Sequence, residues 1–328
     1  MGKGFHPVTT SDFRLIMAPL QGFTDVTFRN VYAGHFSGVD EALAPFISTM
    51  GQRRIKPSRL RDVALQHNQA IPVTPQILGN AADDFVFLAR SLADMGHPLV
   101  NWNLGCPHSK IAKKGRGSGL LMVPELVDEL LEKMIPRIPV PLSVKIRLGR
   151  KDKEEIHDLI RVLNRHPLDH VILHPRTGIQ MYRGEADLDA FEAAMNACVH
   201  PFVYNGDITD KASFSTVKHR FSRVRRFMIG RGLLANPFLP EEIKGLSSDS
   251  TRYLTRLRHF HDDLVLAYAD RLSGPGHLLG RMKGFWHYLG PSFKDHHKPV
   301  KKILRSPSLE TYSAHVADFL DTDPQFCP

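Results

Sequence analysis

Cysteine is scarce in this chain: three among 328 residues, Cys106, Cys198 and Cys327. A sparse, odd set argues against a disulfide framework and predicts a reducing, cytoplasmic setting. No two of the three lie at metal-ligand spacing, so no metal site is expected. No apolar run reaches the roughly 18 residues of a membrane-spanning helix, so no membrane partner is expected. Met1–Asp12 carries no apolar core, so no secretory signal is expected either. The first candidate strand is not followed by G-x-G-x-x-G, which weakens an open, doubly wound dinucleotide fold. Acidic residues are outnumbered, 34 against 43 basic ones, leaving a net charge of +9. That excess favours a polyanionic partner, because neutralising phosphates releases counterions.

What is present is a repeated unit. Short apolar segments occur at Leu15–Ala18, Glu41–Ala44, Val73–Leu78, Leu99–Leu104, Leu142–Arg147, His170–Leu173, Phe202–Tyr204 and Phe227–Ile229. Between them the pattern predicts helices at Thr24–Tyr32, Ala82–Met95, Pro124–Met134, Glu154–Asn164, Asp187–Ala197 and Asp210–Arg220. Eight strands alternating with helices over this length predict an α/β fold, a closed (β/α)₈ TIM barrel. It would occupy residues 1–240. After Pro237 the period changes, and helices are expected at Tyr253–Leu272, His277–Leu289, around Pro299–Leu304 and at Leu309–Phe319. These predict a small all-helical domain over 247–328, joined by a linker at Leu239–Ser250.

In such a barrel the carboxyl tips of the strands face one bowl. The tips read Ala18-Pro19-Leu20, Gln76, Asn103 with Cys106, Lys145 with Arg147, His174 with Arg176, Asn205-Gly206-Asp207 and Gly230-Arg231. A single polar tip is ordinarily a solvated strand end. Six together are harder to dismiss. Loops after the seventh and eighth strands commonly bind phosphate, and glycines there admit close backbone approach. Arg231 is suited to grip a phosphate bidentately. A lone Lys145 in a bowl needs an anion or loses its charge. The bowl therefore suits a phosphorylated planar cofactor.

Cys106 lies where an apolar segment meets a turn, ahead of Lys113–Gly119. It reads either as a small buried residue or as a reactive group beneath a mobile loop. Lys113, Lys114 and Arg116 in that loop read either as a solvated basic face or as a lid gripping a phosphate backbone.

The ordered set of motifs resembles the tRNA-dihydrouridine synthase family of flavoenzymes. Met17-Ala18-Pro19-Leu20-Gln21-Gly22-Phe23-Thr24-Asp25 resembles its first-strand motif and Gln76-Ile77-Leu78-Gly79 its third-strand motif. Asn103-Leu104-Gly105-Cys106-Pro107 resembles the signature around its catalytic cysteine. Val144-Lys145-Ile146-Arg147, Asn205-Gly206-Asp207-Ile208 and Gly230-Arg231-Gly232 follow in family order. The resemblance spans about Leu15 to Pro237. It implies reduction of selected tRNA uridines to 5,6-dihydrouridine with FMN as cofactor and NADPH as reductant. By the same resemblance Ala18, Pro19 and Leu20 line the flavin, and Gln76, Lys145 and His174 contact its ring. Asn205, Gly206, Asp207, Gly230 and Arg231 hold the phosphate side. Cys106 would give a proton to uracil C5 while hydride reaches C6, so its thiol should stay protonated. Asn103, Arg147 and Arg176 become expected contacts to the uracil or its phosphate. One departure stands out: Pro175 follows His174, where the family usually has glycine.

The helical region is unevenly charged. Arg281, Lys283, Lys294, Lys298, Lys301, Lys302 and Arg305 face only Asp295 in that interval. With the resemblance, Lys113, Lys114, Arg281, Lys301 and Lys302 are expected to contact tRNA. Trp286 and Tyr288 are expected in the bundle core. The protein is expected to be a monomer. A flavin barrel for a small molecule, like dihydroorotate dehydrogenase or old yellow enzyme, is the alternative, and the basic helical region speaks against it. A non-catalytic RNA-binding protein is a third reading, opposed by intact Cys106 and Lys145.

Overall fold

A computed structural model describes residues 12–51, 55, 57–246 and 253–328. The strands are β1 (Arg14–Met17), β2 (Glu41–Leu43 continuing as Ile47–Ser48), β3 (Val73–Thr74 continuing as Gln76–Leu78) and β4 (Val100–Asn103). They continue as β5 (Leu142–Gly149), β6 (Val171–Thr177), β7 (Phe202–Asn205) and β8 (Arg226–Ile229). All pairings are parallel. β1 joins β8, with Met17 opposite Ile229, and β2, with Met17 opposite Ala42. The first part of β2 pairs with the first part of β3, Ala42 opposite Val73. The second parts pair likewise, Ile47 opposite Ile77. The ring therefore closes into the expected eight-stranded barrel. Pro75 falls at the break in β3 and Pro45 in the break of β2. Proline brings no N–H to a ladder, which is a physical reason for both interruptions.

Helices cover the barrel's outer face. Three start where an aspartate caps them: Asp25 accepts from the N–H of Phe28 (3.1 Å), Asp187 from Ala190 (2.9 Å) and Asp210 from Ser213 (2.7 Å). Such caps satisfy amide donors that a helix start leaves open. The first helix spans Val26–His35 rather than Thr24–Tyr32, because Asp25 is its cap and not part of it. The barrel interior is layered. At the amino ends of the strands Arg226 pairs with Glu41 (2.9 Å) and meets His170 (3.1 Å). Above them Ile16, Leu43, Ile172, Val203 and Met228 form a separate apolar layer. The bowl lies above that.

Pro175 sits inside β6. Pairing with β5 is irregular there, jumping from His174 opposite Arg147 to Thr177 opposite Gly149. Pairing with β7 ends at Leu173 opposite Tyr204. No regular ladder position is asked of Pro175, so the missing N–H costs the sheet little.

The C-terminal helices are Tyr253–Ala269, Pro275–Leu289, His297–Arg305 and Leu309–Asp321. Phe28 of the first barrel helix stacks on Phe285 (5.3 Å between ring centroids) and meets Phe260 edge-on (5.9 Å). One hydrophobic core runs from the barrel's helices into this bundle. Trp286 is core, as expected, and its Nε1 donates to the Tyr312 hydroxyl (2.9 Å). The expected linker starts later than the composition indicated. Leu239–Lys244 is a helix with Leu239 and Ile243 buried, closed by Gly245 at φ 63°. Residues 247–250 of that linker, and residues 1–11, lie outside the described residues.

Candidate active site

A cavity of about 450 Å³ opens at the carboxyl ends of the strands. That volume suits a cofactor-sized ligand. Of the residues expected there, Ala18, Pro19, Leu20, Asn103, Cys106, Lys145, Arg147, His174, Asn205, Gly206, Asp207, Gly230 and Arg231 line it. Gln76 and Arg176 are not among the lining residues. Gln76 is fully buried below the bowl. Its Oε1 accepts from Asn103 Nδ2 (2.7 Å), and its Nε2 donates to Asn101 Oδ1 (2.8 Å). With its amide thus engaged, Gln76 holds Asn103.

Asn103 in turn shapes the cysteine loop. Its Oδ1 accepts from the N–H groups of Gly105 (3.2 Å) and Cys106 (2.9 Å). The Cys106 carbonyl accepts from the N–H (3.1 Å) and the hydroxyl (2.9 Å) of Ser118. Arg150, which the sequence analysis did not single out, donates to the Pro107 carbonyl (2.8 Å) and to Ser118 Oγ (3.2 Å). Burial pushes the Cys106 thiol above its ordinary value of 9.0, outweighing Arg147, Lys145 and Arg150 nearby. The thiol is protonated at neutral pH.

The glycine-rich run is not the open, mobile loop its composition predicted. Gly117–Met122 is a 3₁₀ turn with Gly117 to Leu121 buried. A Cβ on Gly117 would come 2.9 Å from Cys106 Cβ, and one on Gly119 would come 2.3 Å from the Ala112 carbonyl oxygen. These glycines serve close packing beneath Cys106, with Gly117 at φ 54°. Lys113 and Lys114 are exposed, and the Lys114 carbonyl accepts from Asn80 Nδ2 (3.0 Å).

Lys145 stands in the wall, half-buried, and among the described residues no carboxylate lies within ion-pair distance of it. Burial, and then the Arg147 guanidinium, lower its pKa from 10.5 to about 7. Arg147 is 2 % exposed, and its guanidinium serves the carbonyls of Gly105 (3.0 Å), Thr177 (3.0 Å) and Met181 (2.7 Å). Its pKa too is lowered by burial. His174 is held well below its ordinary range, first by burial and then by Arg147, Lys145, Arg176 and Arg231. It is neutral.

Asp207 organises the phosphate end. It adopts φ 36°, rare for a residue with a side chain. Its carboxylate accepts from Arg176 (2.8 Å to Nη1), from Arg231 (3.0 Å) and from the N–H of Ala186 (3.0 Å). Gly206 and Gly230 line the same cavity, and among the described residues their N–H groups and that of Arg231 have no acceptor. Open N–H groups beside an arginine form an anion-binding concavity. This donor set fits the phosphate of a cofactor such as FMN, and Lys145 without an anion fits its ring.

Tyr182, His287 and Tyr288 are among the wall residues that sequence reasoning did not place there. Tyr182, in the loop after β6, lies under the guanidinium of Arg231 (4.6 Å) and near that of Arg147 (5.5 Å). His287 and Tyr288 reach the bowl from the bundle. Tyr288 was expected in the bundle core; it packs edge-on against Phe23 (5.1 Å) and also lines the cavity. The one available signal was helical spacing, which sets Tyr288 three residues after Phe285. Arg281 is held by Asp25 (3.0 Å) and is absent from the cavity wall. Lys301 and Lys302 are exposed on His297–Arg305. Lys302 borders a separate surface cavity of about 680 Å³, with Lys294 and Lys298. Among the described residues no cluster could hold a metal ion, and no helix is long and apolar enough to cross a membrane.

Fold and site define a (β/α)₈-barrel enzyme with its reactive groups at the carboxyl ends of the strands. The chain belongs to the dihydrouridine synthase (Dus) family, whose model matches residues 16–262, a family of flavin-dependent oxidoreductases. It is 31% identical over 229 residues to tRNA-dihydrouridine synthase B of Pasteurella multocida, covering 69% of this chain and 67% of that one. It is 28% identical over 268 residues to a probable tRNA-dihydrouridine synthase of Rhodobacter capsulatus, covering 81% and 82%. Solved structures share the fold. Histamine dehydrogenase from Rhizobium sp. 4-9 matches with TM-score 0.53 at 11% identity, over 78% of this chain and 48% of that one. A morphinone reductase variant in complex with tetrahydroNAD matches with TM-score 0.52 at 11% identity, over 72% and 87%.

Proposed function

We propose that this enzyme reduces specific uridines of tRNA to 5,6-dihydrouridine, with FMN in the bowl and NADPH as reductant. The observation that carries the reading is the pairing of Lys145, a cation without an anion, with Cys106, a thiol kept protonated, in one bowl. FMN, when bound, supplies the hydride that reaches C6 of the uracil. Lys145 and His174 hold the ring, the first as a cation and the second as a neutral donor. Arg231 and the open N–H groups of Gly206 and Gly230 hold the phosphate. Asn103 presents Cys106, whose thiol gives its proton to C5. The net +9 charge and exposed Lys113, Lys114, Lys301 and Lys302 supply the electrostatic attraction for tRNA. The sparse cysteines favour a reducing, cytoplasmic setting. The bundle's His287 and Tyr288 in the wall favour a large substrate over a small-molecule barrel reductase.

The test is NADPH-dependent formation of dihydrouridine on unmodified tRNA by the FMN-loaded protein. Product on a subset of uridines is the expected result. Absence of product on every tRNA, with flavin bound and reduced, would overturn the proposal.

A further inference from the structure

Arg176 is 2 % exposed, yet it is absent from the cavity wall. One of its N–H groups, Nε, is buried without any partner among the described residues. An arginine kept at that cost has a task in the interior. Its Nη1 lies 3.1 Å from Nε2 of His174 and 2.8 Å from Asp207 Oδ1. Its Nη2 bonds the other Asp207 oxygen and the Gly184 carbonyl (2.5 Å). Held on these sides, the guanidinium has no freedom to turn away from the imidazole.

A guanidinium only donates. Nε2 of His174 must therefore offer its lone pair, and a neutral ring then carries its proton on Nδ1. Among the described residues Nδ1 has no hydrogen-bond partner, and His174 stands in the cavity wall. We propose that Arg176 is a positioning residue that locks His174 in the Nδ1–H tautomer, so that the bowl always presents a hydrogen-bond donor beside Lys145. The groups facing this imidazole favour the neutral ring: Arg147, Arg176 and Arg231 are cations, Lys145 is one below its lowered pKa of about 7, and Tyr182 lies 6.2 Å away. The Asp207 carboxylate is engaged by Arg176 and Arg231.

The lock defines what the bowl accepts. An ammonium and an obligate donor side by side suit a planar ring edge that carries acceptor atoms and takes up negative charge. They oppose an edge that presents its own N–H. This consequence rests on the proposed flavin reading; the tautomer itself does not.

The experiment is ¹⁵N NMR of the histidine rings in the flavin-free protein, with the His174 signal identified by its loss in His174→Asn. The expected result is a neutral Nδ1–H ring that does not titrate through the ordinary histidine range. Arg176→Met should release it to the other tautomer or to ordinary titration, while Arg176→Lys, which keeps a cationic donor, should retain the lock. An Nε2–H ring or an imidazolium in the wild-type protein would overturn the proposal, as would an unchanged ring in Arg176→Met. Equal loss in Arg176→Met and Arg176→Lys would also overturn it, marking a packing role only. FMN titration separates the two claims: Arg176→Met should bind FMN about tenfold more weakly, one lost hydrogen bond's worth. A wild-type protein that keeps the Nδ1–H ring but binds no FMN would overturn the flavin reading and leave the lock standing.

Discussion

Two side chains in the bowl have protonation states set against their solution habits. Cys106 is pushed up by burial, so it remains an acid over a wider pH range than a free thiol. Turnover should stay level as pH rises and fall only beyond the ordinary thiol value of 9.0. Cys106→Ala should keep its flavin while turnover drops about 10²–10⁴-fold, the usual contribution of a positioned acid. Loss of flavin in that variant would instead mark a structural cysteine. Lys145 is depressed to about 7 by burial and by Arg147, while the Asp207 carboxylate in the same bowl is engaged by Arg176 and Arg231. An anionic, reduced ring bound against it favours the charged form and raises its pKa. At about pH 8, one unit above the depressed value, binding of the reduced cofactor should therefore take up close to one proton. At about pH 6, one unit below it, binding should take up little. Calorimetry in buffers of different ionisation enthalpy reads this directly, and binding without proton uptake at the higher pH would contradict it.

At the level of elements, the turn beneath Cys106 is where packing is tightest. A Cβ at Gly119 meets the Ala112 carbonyl at 2.3 Å, so Gly119→Ala should destabilise by about 1–3 kcal/mol, as overpacking does. Gly34, in the helix Val26–His35 with nothing within 4 Å of its would-be Cβ, is the control. Gly34→Ala should stabilise by about 0.5–1 kcal/mol. Urea midpoints of the two variants should move in opposite directions. The same turn shows what a sequence conceals. Strands such as Leu142–Gly149 were legible because apolar Leu142, Val144, Ile146 and Leu148 recur at the strand period of two. The helix starts at Asp187 and Asp210 were legible because short acidic side chains favour the position that caps a helix. Glycines in a turn, by contrast, serve mobility or close approach, and composition does not distinguish them. Gln76 and Arg176 were recognised as polar groups near strand tips. Their partners Asn103 and Asp207, 27 and 31 residues away, could be paired with them only once the barrel had closed.

For the whole molecule, charge is spread over two places, the loop at Lys113 and Lys114 and the helix His297–Arg305. If both meet phosphates, the double replacement Lys301→Glu with Lys302→Glu should weaken tRNA binding and lower the salt slope by about two. The bowl itself would be untouched, so free-flavin reduction by NADPH should persist. An unchanged salt slope would place the RNA elsewhere on the surface.

The helix Pro275–Leu289 both packs on the barrel through Phe285 and supplies His287 and Tyr288 to the bowl. For protein engineering this means the bundle is not an interchangeable module. Grafting the bundle of a relative onto this barrel would exchange part of the pocket together with the bundle's basic surface. A chimaera designed to redirect tRNA choice would therefore inherit an altered chemistry unless positions 287 and 288, and the Phe23 that Tyr288 packs against, travelled as one unit.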